Sequence, residues 1–177
     1  MQAPPAFILP AALASQGYVL RAESEADIPF LKRLYASTRE EELEIAPWSA
    51  EQKQAFLDSQ FAAQRHHYYN YIPDCGFDVI EKNGAPVGRL YLEPRATQLH
   101  IVDIALSPKH RGQGLGTAIM QALQAHARAQ GKGVGIMVEK FNPALRLYRR
   151  LGFADVADHE VYLEMEWLPE RARAAAS

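Results

Sequence analysis

Apolar and polar residues follow two different rhythms along this chain, and the rhythm changes near its middle. Tyr18–Ala22 reads as a short strand, and Ser24 with Asp27 opens a segment where Ile28, Leu31, Leu34 and Tyr35 recur at helical spacing. Ser49 with Gln52 three residues on forms a capping box and predicts a second helix running to about Tyr69, closed by Pro73 and Gly76. The period then shortens. Residues 77–82 and 86–93 are β-rich, the Asn83-Gly84 pair between them signals a hairpin, and Gln98–Leu106 is a third β run. After Pro108 and a glycine-punctuated loop, Leu115, Ala118, Ile119, Ala122 and Leu123 line one face of a helix that Gly131 and Gly133 stop. Residues 134–138 read as another strand, and Asn142-Pro143 starts a helix ending near Leu151-Gly152. Val161, Leu163, Met165 and Trp167 alternate with Tyr162, Glu164 and Glu166, the mark of a half-buried final strand. No repeat or linker divides the chain, so one mixed α/β domain over residues 18–168 is expected.

Composition narrows the class. The 177 residues are 48% hydrophobic and 23% charged, enough apolar content for a single sizeable core. Nineteen basic against 21 acidic residues give a formal charge of -2, with no basic excess to hold a nucleic-acid backbone. Cys75 is the only cysteine, which excludes an internal disulfide and a cysteine-rich metal site and fits a reducing, cytoplasmic setting. In residues 1–17 the apolar run from Ala6 to Leu9 is interrupted by Pro4, Pro5 and Pro10, and no Lys or Arg precedes Arg21. That segment lacks the start of a secretory signal and the length of a membrane span, and is expected to be a flexible leader or arm. Residues 169–177 are expected to be a peripheral tail, and no membrane partner is expected.

The loop from Arg111 to Gly116, Arg-Gly-Gln-Gly-Leu-Gly, joins a strand to an amphipathic helix. Glycines there allow positive φ and close approach of a ligand to the amides, and a helix start offers unpaired N–H groups to a phosphate or pyrophosphate. Two nucleotide motifs fail: Gly116 is followed by Thr117-Ala118 rather than the Lys and Ser/Thr of a P-loop, and the glycine spacing and position do not suit a dinucleotide fold.

The run from Asp103 through Arg111, Gly114 and Gly116 resembles the acyl-CoA-binding motif of the GNAT acetyltransferase superfamily. The stretch Asn142-Pro143-Ala144-Leu145-Arg146-Leu147-Tyr148-Arg149-Arg150-Leu151-Gly152-Phe153 resembles the motif that follows it in that family. The resemblance implies a mixed, mostly antiparallel sheet of about seven strands, splayed between the fourth and fifth, with about four flanking helices. It implies acetyl-CoA as co-substrate, with pantetheine contacts from the backbone of Ile104, Ala105 and Leu106. Pyrophosphate contacts would come from Arg111, Gly112, Gln113, Gly114, Leu115, Gly116 and Thr117, and Asn142 would lie near the CoA arm. It makes Tyr148 the general acid toward the CoA sulfur, although Tyr148 also shares a packing face with Ala144, Leu147 and Leu151. From Asn142 to Tyr148 is six positions in this chain, where the family usually has seven.

The implied activity is N-acetyl transfer to a primary amine of a small molecule or peptide, by direct attack through a tetrahedral intermediate, with no metal. An amine of pKa near 10.4 is only about 0.1% neutral near pH 7.4, so a base is useful. His100 is the first candidate, suited to neutrality and standing on the strand before the loop, with Asp103 and Glu139 as alternatives. Each of the three also reads as a solvated strand residue. His100 and Asp103 have opposite strand parity, so one alone faces the cleft unless a bulge intervenes. On the acceptor side stand Glu40, Glu41, Glu42, Glu44, Trp48, Asp158, His159 and Glu160, with an aromatic stretch from His66 to Tyr71. The other classes in view are a catalytically silent CoA-binding or regulatory module and a nucleotide-binding domain. The final strand with Trp167 also offers a surface for a homodimer.

Overall fold

The computed structural model describes residues 6–170. Seven strands form one sheet in the order β1-β2-β3-β4-β5-β7-β6. They are β1 (Tyr18–Ala22), β2 (Gly76–Lys82), β3 (Ala85–Pro94), β4 (Gln98–Leu106), β5 (Gly133–Glu139), β6 (Ala154–His159) and β7 (Tyr162–Trp167). Every neighbouring pair is antiparallel except β4 and β5. The β2–β3 hairpin turns at Asn83 and Gly84 with φ of 50° and 83°, the double left-handed turn that this dipeptide favours.

Helices α5 (Leu115–Ala129) and α6 (Leu145–Arg150) cover one sheet face; α2 (Ile28–Ser37) and α4 (Ala50–Tyr71) lie on the other. Leu115, Ile119, Met120, Leu123 and Ala127 of α5 pack against Leu90, Leu92, Ile101, Val134 and Ile136 in the main core. A smaller cluster joins Leu31 and Tyr35 of α2 to Phe61 of α4. Ser49 Oγ accepts the Gln52 amide at 3.1 Å and Gln52 returns Oε1 to the Ser49 amide at 2.9 Å, so the capping box starts α4 as its spacing predicts.

Two short helices add to the four expected: α1 (Ala11–Ala14) and α3 (Glu40–Glu44). At four and five residues, neither is long enough to show a periodicity. The structure also departs from the expected flexible arm over residues 6–17. Leu9 and Leu13 are buried in the main core, and Phe7 meets the His126 ring edge-on at 5.4 Å. Prolines broke the apolar run as a span, but three apolar side chains within seven residues suffice to dock it. The first five residues of that arm, and residues 171–177 of the tail, lie outside the described residues.

Candidate active site

The parallel pairing of β4 with β5 is short. It covers residues 98–101 against 133–136 and then ends. Beyond it β4 stays with β3 to Leu106, while β5 stays with β7 to Glu139. The sheet therefore opens into a gap, and residues 102–106 of β4 present a backbone edge that no strand among the described residues pairs with on the β5 side. Ile104, Ala105 and Leu106 are half-buried along it. Such an edge is what an extended ligand with amide groups can pair with.

At the end of that edge lies the glycine loop. Gly112 and Gly114 have φ of 70° and 84°, the latter as the residue that starts α5. The amides of residues 112–117 donate to no carbonyl or side chain among the described residues. The first that does is Ala118, to Gly114 O at 3.0 Å. Six free amides at the start of a 15-residue helix form a cradle for an anion. The Arg111 guanidinium is turned away from the loop: Nε donates to Leu106 O at 2.8 Å and Nη2 to Ser37 Oγ at 2.9 Å. The side chain ties the loop to the end of α2, and its amide donates to Pro108 O at 3.3 Å, so Arg111 itself adds no free donor to the cradle. Gln113 likewise spends its side-chain amide on Lys109 O at 2.7 Å.

A bulge decides which β4 side chains face α4. Tyr91 pairs with Asp103 but Leu92 with Ile101, leaving Val102 as an extra residue. Glu93 pairs with His100, so the bulge brings Asp103 and His100 onto one face despite their odd spacing. Their surroundings differ. His100 lies where β4 and β5 still pair, opposite Gly135, and is only 9% exposed. Its Nδ1 is 3.2 Å from Gln98 Oε1, and a Cβ on Gly135 would stand 2.2 Å from Gln98 Cδ. Burial, with the nearby Arg95 charge, lowers its pKa to about 4. Asp103 stands past the point of opening. Its Oδ2 accepts Arg89 Nη2 at 2.5 Å and the Tyr68 hydroxyl at 3.4 Å, and its Oδ1 has no partner among the described residues.

Tyr148, on α6, is 5% exposed and packs against Phe153 with ring centroids 5.9 Å apart. Its hydroxyl has no partner among the described residues and is not sealed from solvent. Burial, reinforced by the Asp103 charge, pushes its pKa up to about 12, so the phenol is protonated at neutral pH. Asn142 precedes this short helix: Oδ1 accepts the Ala144 amide at 2.9 Å, and the regular helix begins only at Leu145. Glu139 ends β5 half-exposed and ion-paired to Arg39 at 3.4 Å. The structure thus sets Asp103 past the opening of the sheet, with the Tyr148 phenol close enough to feel its charge, leaves Glu139 at the end of β5, and keeps His100 where β4 and β5 still pair.

Of the residues expected on the acceptor side, Glu40, Glu41, Glu42 and Glu44 are exposed on α3, and Trp48 packs on Phe56 at 5.2 Å. Asp158 pairs with Lys140 at 2.6 Å, His159 contacts Glu164 at 3.1 Å, and Glu160 turns between β6 and β7 with φ of 66°. The aromatic stretch ending α4 divides: Tyr68 reaches Asp103, and Tyr69 stacks on Phe77 at 4.2 Å with its hydroxyl on Glu23. Arg89 and Gln64 belong to this cluster too, and sequence reasoning missed both. An arginine between glycine and leucine inside an apolar strand was the available signal.

The sequence model of the acetyltransferase (GNAT) family matches residues 32–153, well over half of the chain. The chain belongs to the GNAT acetyltransferase family. Among solved structures, this GNAT domain superposes on the PaiA N-acetyltransferase of Thermoplasma acidophilum, in complex with coenzyme A, with a TM-score of 0.64. That pair is 15% identical and covers 86% of this chain and 99% of the other. A Salmonella typhimurium protein solved with its cofactor acetyl-CoA gives a TM-score of 0.51 at 19% identity, covering 86% and 94%. At these identities the likeness concerns the fold. A curated relative, streptothricin acetyltransferase of Streptomyces lavendulae, is 42% identical over 59 residues, 32% of this chain and 31% of that one. The matched region is thus about a third of that relative's length. Among the described residues of this GNAT chain no cluster of three or more His, Cys, Asp and Glu could hold a metal ion, and no helix is long and apolar enough to cross a membrane.

Proposed function

We propose that this protein transfers the acetyl group of acetyl-CoA to a primary amine of a small molecule or peptide. One observation carries the reading: the six free amides of residues 112–117 adjoin the unpaired edge of β4, on which Asp103 stands. The fit to acetyl-CoA is chemical as well as spatial. An anion cradle suits the pyrophosphate, and a strand edge suits the two amides of pantetheine. Gly112 and Gly114 have open space where a Cβ would stand, which leaves the amides accessible.

Acetyl-CoA, when bound, supplies an activated thioester carbonyl. In this reading the chain's own groups orient the acceptor and handle two protons. Asp103 Oδ1 takes a proton from the acceptor ammonium, and Tyr148 Oη gives one to the departing sulfur. The raised pKa of Tyr148 suits a group that must arrive protonated. His100 takes no part, because its ring is buried where β4 and β5 still pair and does not stand at the opening.

Calorimetry with acetyl-CoA, then CoA release on a panel of streptothricin, a linear diamine, lysine and a peptide with a free N-terminus, tests the reading. Binding with release on one amine class is expected. Absence of acetyl-CoA binding overturns it, and binding without release on any amine points instead to a non-catalytic CoA module.

A further inference from the structure

Arg89 sits in the middle of β3, 3% exposed, between α4 and the sheet. Among the described residues its Nη2 alone makes its two hydrogen bonds, to Asp103 Oδ2 at 2.5 Å and to Gln64 Oε1 at 2.9 Å, and Nε and Nη1 are buried without a partner. As a stabilising device this is poor. A buried guanidinium loses its hydration, and a pair with two unsatisfied donors recovers less than an apolar side chain of similar volume would. The cost is borne at one particular place, the first residue of β4 beyond the bulge, where the sheet opens.

We infer that Arg89, with Tyr68, is a positioning residue that fixes the Asp103 carboxylate so that Oδ1 faces the acceptor amine. Both donors meet the same oxygen, Oδ2, and come from two different elements, β3 and α4. Held at one oxygen, the carboxylate cannot rotate freely, and the other oxygen stays without a partner. The bulge at Val102 serves the same end, since without it Asp103 would point toward α5 and away from Arg89. When the acceptor ammonium loses its proton, the N–H bond breaks and an O–H bond forms on Oδ1, while Arg89 remains charged on the other side. Tyr91 stacks beneath the guanidinium at 5.0 Å and is itself held by Glu23 through its hydroxyl at 2.5 Å. The clamp is therefore anchored in β3 and α4, with Glu23, just past the end of β1, holding Tyr91. This inference rests on the acetyl-transfer reading with Asp103 as the proton acceptor.

The test is a cycle on the full chain with Arg89→Met, Arg89→Lys and Asp103→Asn, using whichever panel amine wild type acetylates. Arg89→Met should lower kcat at least tenfold while the Kd for acetyl-CoA stays within twofold, and Arg89→Lys should recover part of the loss. In the Asp103→Asn background the same Arg89 changes should cost less than twofold more. Equal losses in both backgrounds, or an unchanged kcat in Arg89→Met, would overturn the inference. If Arg89→Met does not fold, Arg89→Lys decides: a loss of several fold seen only with Asp103 present supports it, and full turnover or an equal loss without Asp103 overturns it. Wild type inert on every amine overturns the acetyl-transfer reading and this with it; active wild type with insensitive Arg89 variants overturns this alone.

Discussion

At the scale of single residues, two side chains of similar promise in the sequence have different fates. His100 is a neutral ring in a dry place. Its folded pKa of about 4 lies below the ordinary 6.5, so the unfolded chain binds the proton more readily. Its contribution to stability is full above about pH 6.5 and is lost as pH falls toward 4, by up to about 3 kcal/mol at 1.36 kcal/mol per unit. Urea unfolding at pH 7 and pH 4.5 should show that loss in wild type and much less of it in His100→Asn; equal slopes would contradict the burial argument. The pH–rate profile of His100→Asn should match wild type. Tyr148→Phe should cut turnover by about 100-fold or more, the usual range for a lost general acid being about 100- to 10,000-fold, with acetyl-CoA affinity nearly intact. Equal turnover would return Tyr148 to core packing alone.

At the scale of elements, the start of α2 and the start of α5 show two ways of ending a backbone's loose donors. Asp27 accepts both Arg21 Nη1 at 2.8 Å and Nη2 at 2.7 Å, and the Ser24 amide at 2.8 Å. The Arg21 bond, with the Ser24 amide, holds its pKa down to about 2 against the opposing effect of burial. The sign is therefore opposite to that of His100: the stabilisation is complete above about pH 4 and disappears as pH falls toward 2. Arg21 is partly exposed, which trims the value of the pair, so Asp27→Ala should cost about 1–2 kcal/mol in urea unfolding at pH 7. The start of α5 leaves its donors open. Gly114→Leu forces a side chain into φ of 84° and over the cradle. It should cost about 1–2 kcal/mol of stability and weaken acetyl-CoA binding at least tenfold by calorimetry. Unchanged affinity would remove the cradle from the cofactor site.

At the scale of the whole molecule, the segment before β1 is structural. Burying Leu9 and Leu13 contributes about 1.5–3 kcal/mol each, so a chain lacking residues 1–14 should lose about 4 kcal/mol. Its thermal midpoint should fall by roughly 10 °C, and an unchanged midpoint would show that the segment merely rests on the core. By itself the sequence determined the strand and helix order, the Asn83-Gly84 turn, the capping of α4, the glycine loop and the family, because these depend on neighbours a few residues apart. It did not disclose α1 or α3, which are too short to carry a period, or the dock of residues 6–17, which depends on a distant groove. Nor did it choose among His100, Asp103 and Glu139. Parity alone put His100 and Asp103 on opposite faces. Only the tertiary structure, through the bulge at Val102 and the parting of β4 from β5, set both on one face and only Asp103 at the opening. Register and burial are properties of pairing between strands, and Arg89, fourteen residues from Asp103 in the chain, meets it only once the sheet has formed.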